Sequence, residues 1–371
     1  MQKSSQRLLL NAEPFGFGPA AAIAGFLPHL RPHFNTIGYI GKKHTLDLQR
    51  GLPYDAVHDV TGTARDEREE TYAPVFAQYD IFLTAMDHKM AEAAQKAGLK
   101  VIYYDALAWY WPEIPDSMRK TDLYIAQDFF GVRERLSAVF NDSARAQIVP
   151  PIAPAGKSAQ AKDHVLINLG GLQNPFWPVE DVVDYARAVV AALRRALPDE
   201  KIVIAGSQAV ADKMAAEGVR TIPRVEMEDI LARSKMAFMT PGLGNIYDAA
   251  AFDLPTIWLP PANDSQGQQM RLIEEKGLSD GAMDWHDILR SDAIDYRADQ
   301  PAVLAQIAAA AKILSADSAA QNRLAAAAVK LRGETGAGGS RTVGLLEKFG
   351  TGGEEQVAKL VIAKARELDL G

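Results

Sequence analysis

Short apolar runs alternate with amphipathic stretches along most of the chain. "RLLLNA" (7–12) is an apolar run that ends in a Gly/Pro turn at 14–19, and "AAAIAGFLPHL" behind it carries its apolar positions at helical spacing. The same alternation returns in "TIGYI", in "IFLTA" followed by "MDHKMAEAAQKAG", in "KVIYYDA" and in "LYIAQ". Short runs without a polar face predict buried strands, and strands separated by helices predict βαβ units in a mostly parallel sheet. Near Gln147 the texture changes: "QIVPPIAPAGKSAQAKD" has three prolines and neither period, which predicts a linker. Alternation then resumes with strand "HVLINLGG", helix "VEDVVDYARAVVAALRRAL", strands "KIVIAG" and "RTIPRV", helix "MEDILARS", strand "KMAFMT", helix "IYDAAAF" and strand "TIWLP".

The predicted fold class is α/β, with two Rossmann-like doubly wound domains facing a cleft. The expected division is an N-terminal domain over 1–150, a linker over 151–163, a second domain over 164–345 and a helix over 346–371 that packs back. Alanine-rich helices follow Asp299, and "GETGAGGSRT" (333–342), which lacks the lysine of a P-loop, reads as a flexible connection.

Composition narrows the partners. Among 371 residues, 40 basic against 47 acidic side chains give a net charge of −7, which argues against a nucleic-acid binder. A small anion remains compatible, because a helix N-terminus can hold one without net positive charge. Without cysteine there are neither disulfides nor thiolate metal sites. Leu8–Leu10 is too short an apolar run for a signal peptide, and no run approaches the ~20 residues of a membrane span, so a cytoplasmic monomer or homodimer is expected.

The richest stretch is "TPGLGNIYDAAAFDLPTIWLPPANDSQGQQ" (240–269). A strand ends at a turn, Gly242-Leu243-Gly244-Asn245, that opens a helix, so backbone N–H groups and the positive helix end can face a diphosphate, with Asn245 as a cap or further donor. Asp248, one turn on, can accept from the two hydroxyls of a ribose. Asp264, Ser265 and Gln266, after the next strand, offer the mixed donors and acceptors that a hexose requires.

This stretch resembles the donor-binding segment of GT-B glycosyltransferases, the group that includes macrolide and UDP-glucuronosyl transferases and the peptidoglycan N-acetylglucosaminyl transferase. Gly242–Asn245 match the turn, Asp248 the ribose acid and Pro255 the proline, while Asp253 stands where glycine is usual and "NDSQ" replaces adjacent Asp-Gln. "INLGGLQNPFW" resembles the first glycine turn of that donor domain, which implies Gly170, Gly171 and Gln173 near the diphosphate or sugar. "TIPRVEMEDIL" resembles the loop that reads the nucleobase through backbone groups, which implies Val225. The N-terminal domain would then bind the acceptor.

That half opens with "NAEPFGFGPAAAIAGFL", and its loop, with Phe15, Gly16 and Phe17, is the expected acceptor side together with Trp109 from the aromatic run "YYDALAWYWPEIP". Gly16 to Ala21 also fits the dinucleotide fingerprint, so an NADP-dependent dehydrogenase stays open. GT-B relatives often keep a histidine in this loop as catalytic base, and this loop has none. Glu13, His88 and Asp105, each just past the end of a strand, are the candidates. "TAMDHKMAEAAQKAGLKVIYYDALAWYW", "NAEPFGFGP" and the donor segment together are similar to the cytosylglucuronate synthases of peptidyl-nucleoside antibiotic pathways. The resemblance implies an inverting hexosyltransferase without metal or cofactor, taking a UDP-sugar such as UDP-glucuronate and a small acceptor such as cytosine. A GT-B-fold epimerase and a non-catalytic nucleotide-sugar-binding partner protein are the alternatives.

Overall fold

The computed structural model describes residues 3–62, 68–140, 144–156, 160–172, 177–335 and 339–369. They form two compact units: unit 1 is Met1–Ile152 with Thr351–Gly371, and unit 2 is Ala153–Gly350.

Unit 1 is built on seven strands, β1 (Ser4–Ala12), β2 (Phe34–Gly41), β3 (Ala56–Asp59), β4 (Ile81–Ala85), β5 (Lys100–Asp105), β6 (Leu123–Gln127) and β7 (Ala146–Val149). They pair in the order β3-β2-β1-β4-β5-β6-β7, every pair parallel. The register sets Leu8 between Ile37 and Ile81, and Leu10 between Tyr39 and Leu83. All six side chains are buried, as expected of a parallel sheet covered on both faces. Chain order reverses between β1 and β4, which is the topological switch point.

The C-terminal helix Gly353–Asp369 belongs to this unit. Its Val357, Val361 and Ala365 recur every four residues, forming one apolar stripe, and join Ile23, Phe26 and Leu27 of the helix Gly18–Leu30 in a single core. Asp369 at its end accepts hydrogen bonds from Ser4 Oγ at 2.8 Å and Ser5 Oγ at 2.6 Å.

Unit 2 holds β8 (His164–Asn168), β9 (Ile202–Ala205), β10 (Val219–Arg220), β11 (Ser234–Met239), β12 (Thr256–Trp258) and β13 (Gly281–Ala282), in the order β10-β9-β8-β11-β12-β13, again all parallel. Its switch point lies between β8 and β11. The helix Val179–Ala196 buries Val189 and Leu193 in one core with Val303 and Ile307 of Gln300–Ala316 and Leu324 of Ser318–Glu334. The pair of doubly wound α/β sheets matches the expected fold class.

Two local readings change. The strand expected over 220–225 is only Val219–Arg220, because Pro223 (φ −60°, ψ 150°) cannot donate to a ladder and instead caps the helix Arg224–Arg233. The polar loop expected after β12 is the start of the helix Asp264–Glu275, whose cap Asn263 accepts from Gln266 N–H at 2.9 Å. Among the described residues, no single helix is long and apolar enough to cross a membrane.

The entry of the C-terminal helix into unit 1 leaves no room at Gly353, where a Cβ would lie 2.3 Å from the Pro150 carbonyl oxygen and 2.8 Å from that of Pro151. Backbone cannot rotate away as a side chain can. Gly353→Ala should therefore cost about 1–3 kcal/mol and loosen the helix, seen as a lower Tm and faster proteolysis within 353–369; an unchanged Tm and cleavage pattern would contradict this packing.

Candidate functional site

In unit 2 all strands run the same way, so the segments that follow β8, β10, β11 and β12 leave from one edge of the sheet. At the switch point, side-chain amides tie the end of β8 to the segment that follows β11. Asn168, the last residue of β8, donates from Nδ2 to Asn245 Oδ1 at 3.1 Å and accepts at Oδ1 from Gly170 N–H at 2.9 Å. Asn245 Nδ2 donates to Thr240 O at 2.9 Å and Thr240 Oγ1 at 3.1 Å. Asn245 is thus a brace between β8 and β11 and not the helix cap; that position belongs to Gly242 (φ −75°, ψ 147°), with Leu243 and Gly244 in the first turn of the helix Leu243–Ala251.

The turn is open. A Cβ added at Gly242 or Gly244 would meet no atom within 4 Å. Together with the first-turn N–H groups, that is the space and polarity a diphosphate requires. Gly170 and Gly171 lie in a short 3-10 turn after β8, and Gln173 falls outside the described residues, as does the centre (336–338) of the glycine-rich stretch 333–342.

Asp248, 7% exposed, faces Arg224, which donates from Nη1 to Oδ2 at 2.9 Å and from Nη2 to Oδ1 at 2.8 Å. Val225, expected in a loop, is the second residue of the helix Arg224–Arg233 and is 75% exposed. Asp264, Ser265 and Gln266 form the first turn of the next helix. Asp264 Oδ2 accepts from Gln300 Nε2 at 3.1 Å, Ser265 Oγ donates to Asn263 Oδ1 at 2.9 Å, and Gln266 Oε1 accepts from Ala262 N–H at 2.9 Å.

Asp253, which replaces the usual glycine, has φ +46°. Glycine is the residue best suited to such a left-handed backbone, and Asp tolerates that conformation better than most side chains. Its Oδ1 accepts from Ser340 N–H at 2.6 Å.

The switch point of unit 1 has the same construction. Asn11 of β1 donates to Ile40 O at 3.0 Å and accepts from Thr84 Oγ1 at 2.7 Å, and Glu13 N–H donates to Ala85 O at 2.9 Å. Glu13, Phe15, Gly16 and Phe17 follow, all half-buried, with Gly16 at φ +67° and Phe17 capping the helix Gly18–Leu30. Past β4, Met86 at φ +68° turns the chain into the helix His88–Lys96, of which His88 is the first residue. Positive φ at a bulky non-glycine residue is a strain that the surrounding structure must hold.

His44 is the residue that the linear reading missed. It comes from the segment after β2, yet its Nε2 lies 2.8 Å from Gly16 O and its ring meets Phe17 edge-on at 5.2 Å. A carbonyl only accepts, so Nε2 carries the proton and Nδ1 is the basic nitrogen. Burial lowers its pKa below 6.5, against the pull of the Gly16 carbonyl. Only the register of β1 beside β2 brings it to this loop.

Solved structures that resemble the chain over nearly its full length include Arabidopsis thaliana UGT89C1 complexed with UDP-L-rhamnose (12% identity, 98% of this chain and 100% of that one, TM-score 0.55). Others are LpCGTa in complex with UDP (13% identity, 97% and 99%, TM-score 0.51) and Acinetobacter baumannii MurG (12% identity, 96% and 99%, TM-score 0.50). The fold is GT-B. No protein-family model and no curated protein matches the chain.

Within the first unit of this GT-B fold, Asp105 proves to be a structural hub and not an open base. Fully buried, it accepts from Tyr124 Oη at 2.6 Å, Leu107 N–H at 2.7 Å and Trp111 Nε1 at 3.0 Å, holding the aromatic run in place. Trp109 packs between Tyr110 (5.9 Å) and Phe129 (5.4 Å), its Nε1 buried without a partner among the described residues.

Burial pushes the Asp105 carboxyl up to about 6, although its three donors favour the anion. Between the ordinary value of 3.8 and about 6, the folded protein keeps the proton while the unfolded chain has lost it, so stability falls as pH rises through this window. Asp105→Asn cannot ionise and should lack that fall. In urea unfolding, the variant's stability relative to the parent should rise by about 2 kcal/mol from pH 4 to pH 7; a pH-independent difference would mean that Asp105 titrates normally.

Proposed function

We propose that the chain is a glycosyltransferase that moves a sugar from a UDP-linked donor to a small acceptor. The observation that carries this reading is the open turn Gly242–Asn245 with Asp248 held one turn further on, in a GT-B fold. Unit 2 is the donor half: N–H groups at the start of the helix Leu243–Ala251 take the diphosphate, Asp248 the ribose hydroxyls, and the first turn of Asp264–Glu275 the sugar. Gly170, Gly171 and the backbone at Val225 complete the pocket for the sugar phosphate and the base.

Unit 1 is the acceptor half, with Phe15, Gly16, Phe17 and Trp109 as its recognition surface. A planar acceptor such as cytosine suits those aromatic faces. A base on its loops removes the acceptor proton while the acceptor attacks the anomeric carbon, the bond from that carbon to the diphosphate oxygen breaks, and configuration inverts. The positive end of the helix dipole stabilises the charge that builds on the departing UDP, so the step draws on no metal. Asp105 is fully engaged inside the unit, which leaves Glu13, His88 and the neutral imidazole of His44 as bases.

Calorimetry with UDP, dTDP, GDP, UDP-glucose, UDP-glucuronate and NADPH tests the donor half directly. UDP and one UDP-sugar should bind, and Asp248→Ala should weaken UDP by about 1–3 kcal/mol with the fold intact; binding of NADPH alone would move the site to Gly16 and overturn the reading. Once an acceptor is found, one of Glu13→Gln, His44→Gln and His88→Gln should lower kcat by about 10²–10⁴-fold while UDP binding stays unchanged. Three fully active variants would place the base elsewhere.

A further inference from the structure

Asp248 stands where the donor ribose is placed, but the positions that a ribose needs on it are taken. The guanidinium of Arg224, the first residue of the helix Arg224–Arg233, donates from Nη1 to Oδ2 at 2.9 Å and from Nη2 to Oδ1 at 2.8 Å. In such a fork two parallel N–H bonds meet the carboxylate head-on and use the forward lone pair of each oxygen. The lone pairs left over diverge along opposite edges. Two hydroxyls on adjacent carbons also approach side by side, so they need the forward pair as well. A vicinal diol and Arg224 therefore exclude one another at Asp248, which is 7% exposed with the guanidinium across the side that its oxygens face.

Arg224 has a second place to go. Its side chain is 52% exposed, against 10% for that of Asp248, so it can move outward without disturbing a core. Its Nε already lies 3.5 Å from Glu228 Oε1, one turn further along the same helix, and the Glu228 side chain is 30% exposed. Two acids thus compete for one guanidinium, one on its own helix and one on the helix Leu243–Ala251. A shift toward Glu228 frees both forward positions of Asp248 while the positive charge stays nearby.

We propose that Arg224 is a latch on the donor site: it closes the Asp248 carboxylate, and it moves to Glu228 when the vicinal diol of the donor ribose takes its place. This rests on the donor-site reading above. Only the open fraction of the protein can bind the diol, so the latch weakens that contact in proportion to the time it spends closed. A pair that only tied the two helices together would have no such effect.

The test is calorimetry on the full chain with UDP and with 2′,3′-dideoxy-UDP, which lacks the diol and binds with the latch closed. Both carry the same diphosphate, so the loss of the Arg224 charge acts on both and cancels in their ratio. Arg224→Met should raise the preference for UDP about tenfold over the parent's. Arg224→Gln, which cannot fork, should raise it too and serves if the methionine variant fails to fold. Glu228→Gln should lower the preference about two- to fivefold in the parent and leave it unchanged beside Arg224→Met. Asp248→Asn should abolish it in either background.

A preference that stays level or falls in the Arg224 variants, yet is lost in Asp248→Asn, overturns the latch and leaves the ribose placement standing. An unaltered preference in Glu228→Gln overturns the move to Glu228. Equal binding of the two ligands by the parent and the Arg224 variants alike overturns the ribose placement itself, and binding of neither by any of them overturns the donor-site reading.

Discussion

A parallel strand can be followed by its neighbour only after the chain has crossed back over the sheet, and this constraint organises both units. Every strand in the two sheets obeys it, so every segment leaving a carboxyl end emerges on one edge of its sheet. The crossovers change direction between β1 and β4 and between β8 and β11. A buried asparagine near the carboxyl end of the central strand serves each: Asn11 ties β1 to Ile40 of β2 and Thr84 of β4, and Asn168 ties β8 to Asn245 behind β11 and accepts from Gly170 of its own segment. The amide side chain suits this position because it is a donor and an acceptor at once.

Charge is arranged in a way that the overall balance conceals. The chain carries a net charge of −7, but the turn at Gly242–Asn245 presents backbone N–H groups, and Asp248 nearby already has a guanidinium on both oxygens. The acid therefore brings hydrogen-bond acceptors to the pocket without a bare negative charge beside the place proposed for a diphosphate. Unit 1 solves a similar problem differently, since Asp105 is buried among three donors and holds its neighbours without facing solvent.

The fold class was legible because parallel strands buried on both faces leave apolar runs such as "IFLTA" and "HVLIN", and the helices between them keep their own period. The donor segment was legible for the same reason, its glycines, acid and prolines being close in sequence. What escaped was local chemistry and long-range pairing. Pro223 ended a strand early, and Asn263 turned an apparent amide loop into a helix. Arg224 lies far from Asp248 in sequence, and His44 far from Gly16, so no motif window contains either pair. Asp105 looked like a catalytic residue at a strand end until its three donors were visible. Asp253 gives the opposite lesson, since at an apparent departure from a glycine pattern the chain has a left-handed backbone of the kind that glycine favours.

The helix Gly353–Asp369 supplies Val357, Val361 and Ala365 to the core of unit 1, but the whole of unit 2 precedes it in the chain. On the ribosome, the first 152 residues emerge with the apolar faces of Ile23, Phe26 and Leu27 still lacking this cover. Unit 2 is contiguous and can close its core as soon as it has been translated. The part of the protein that is made first is therefore completed last, and until the final helix arrives its sheet carries an apolar surface of the kind that chaperones bind.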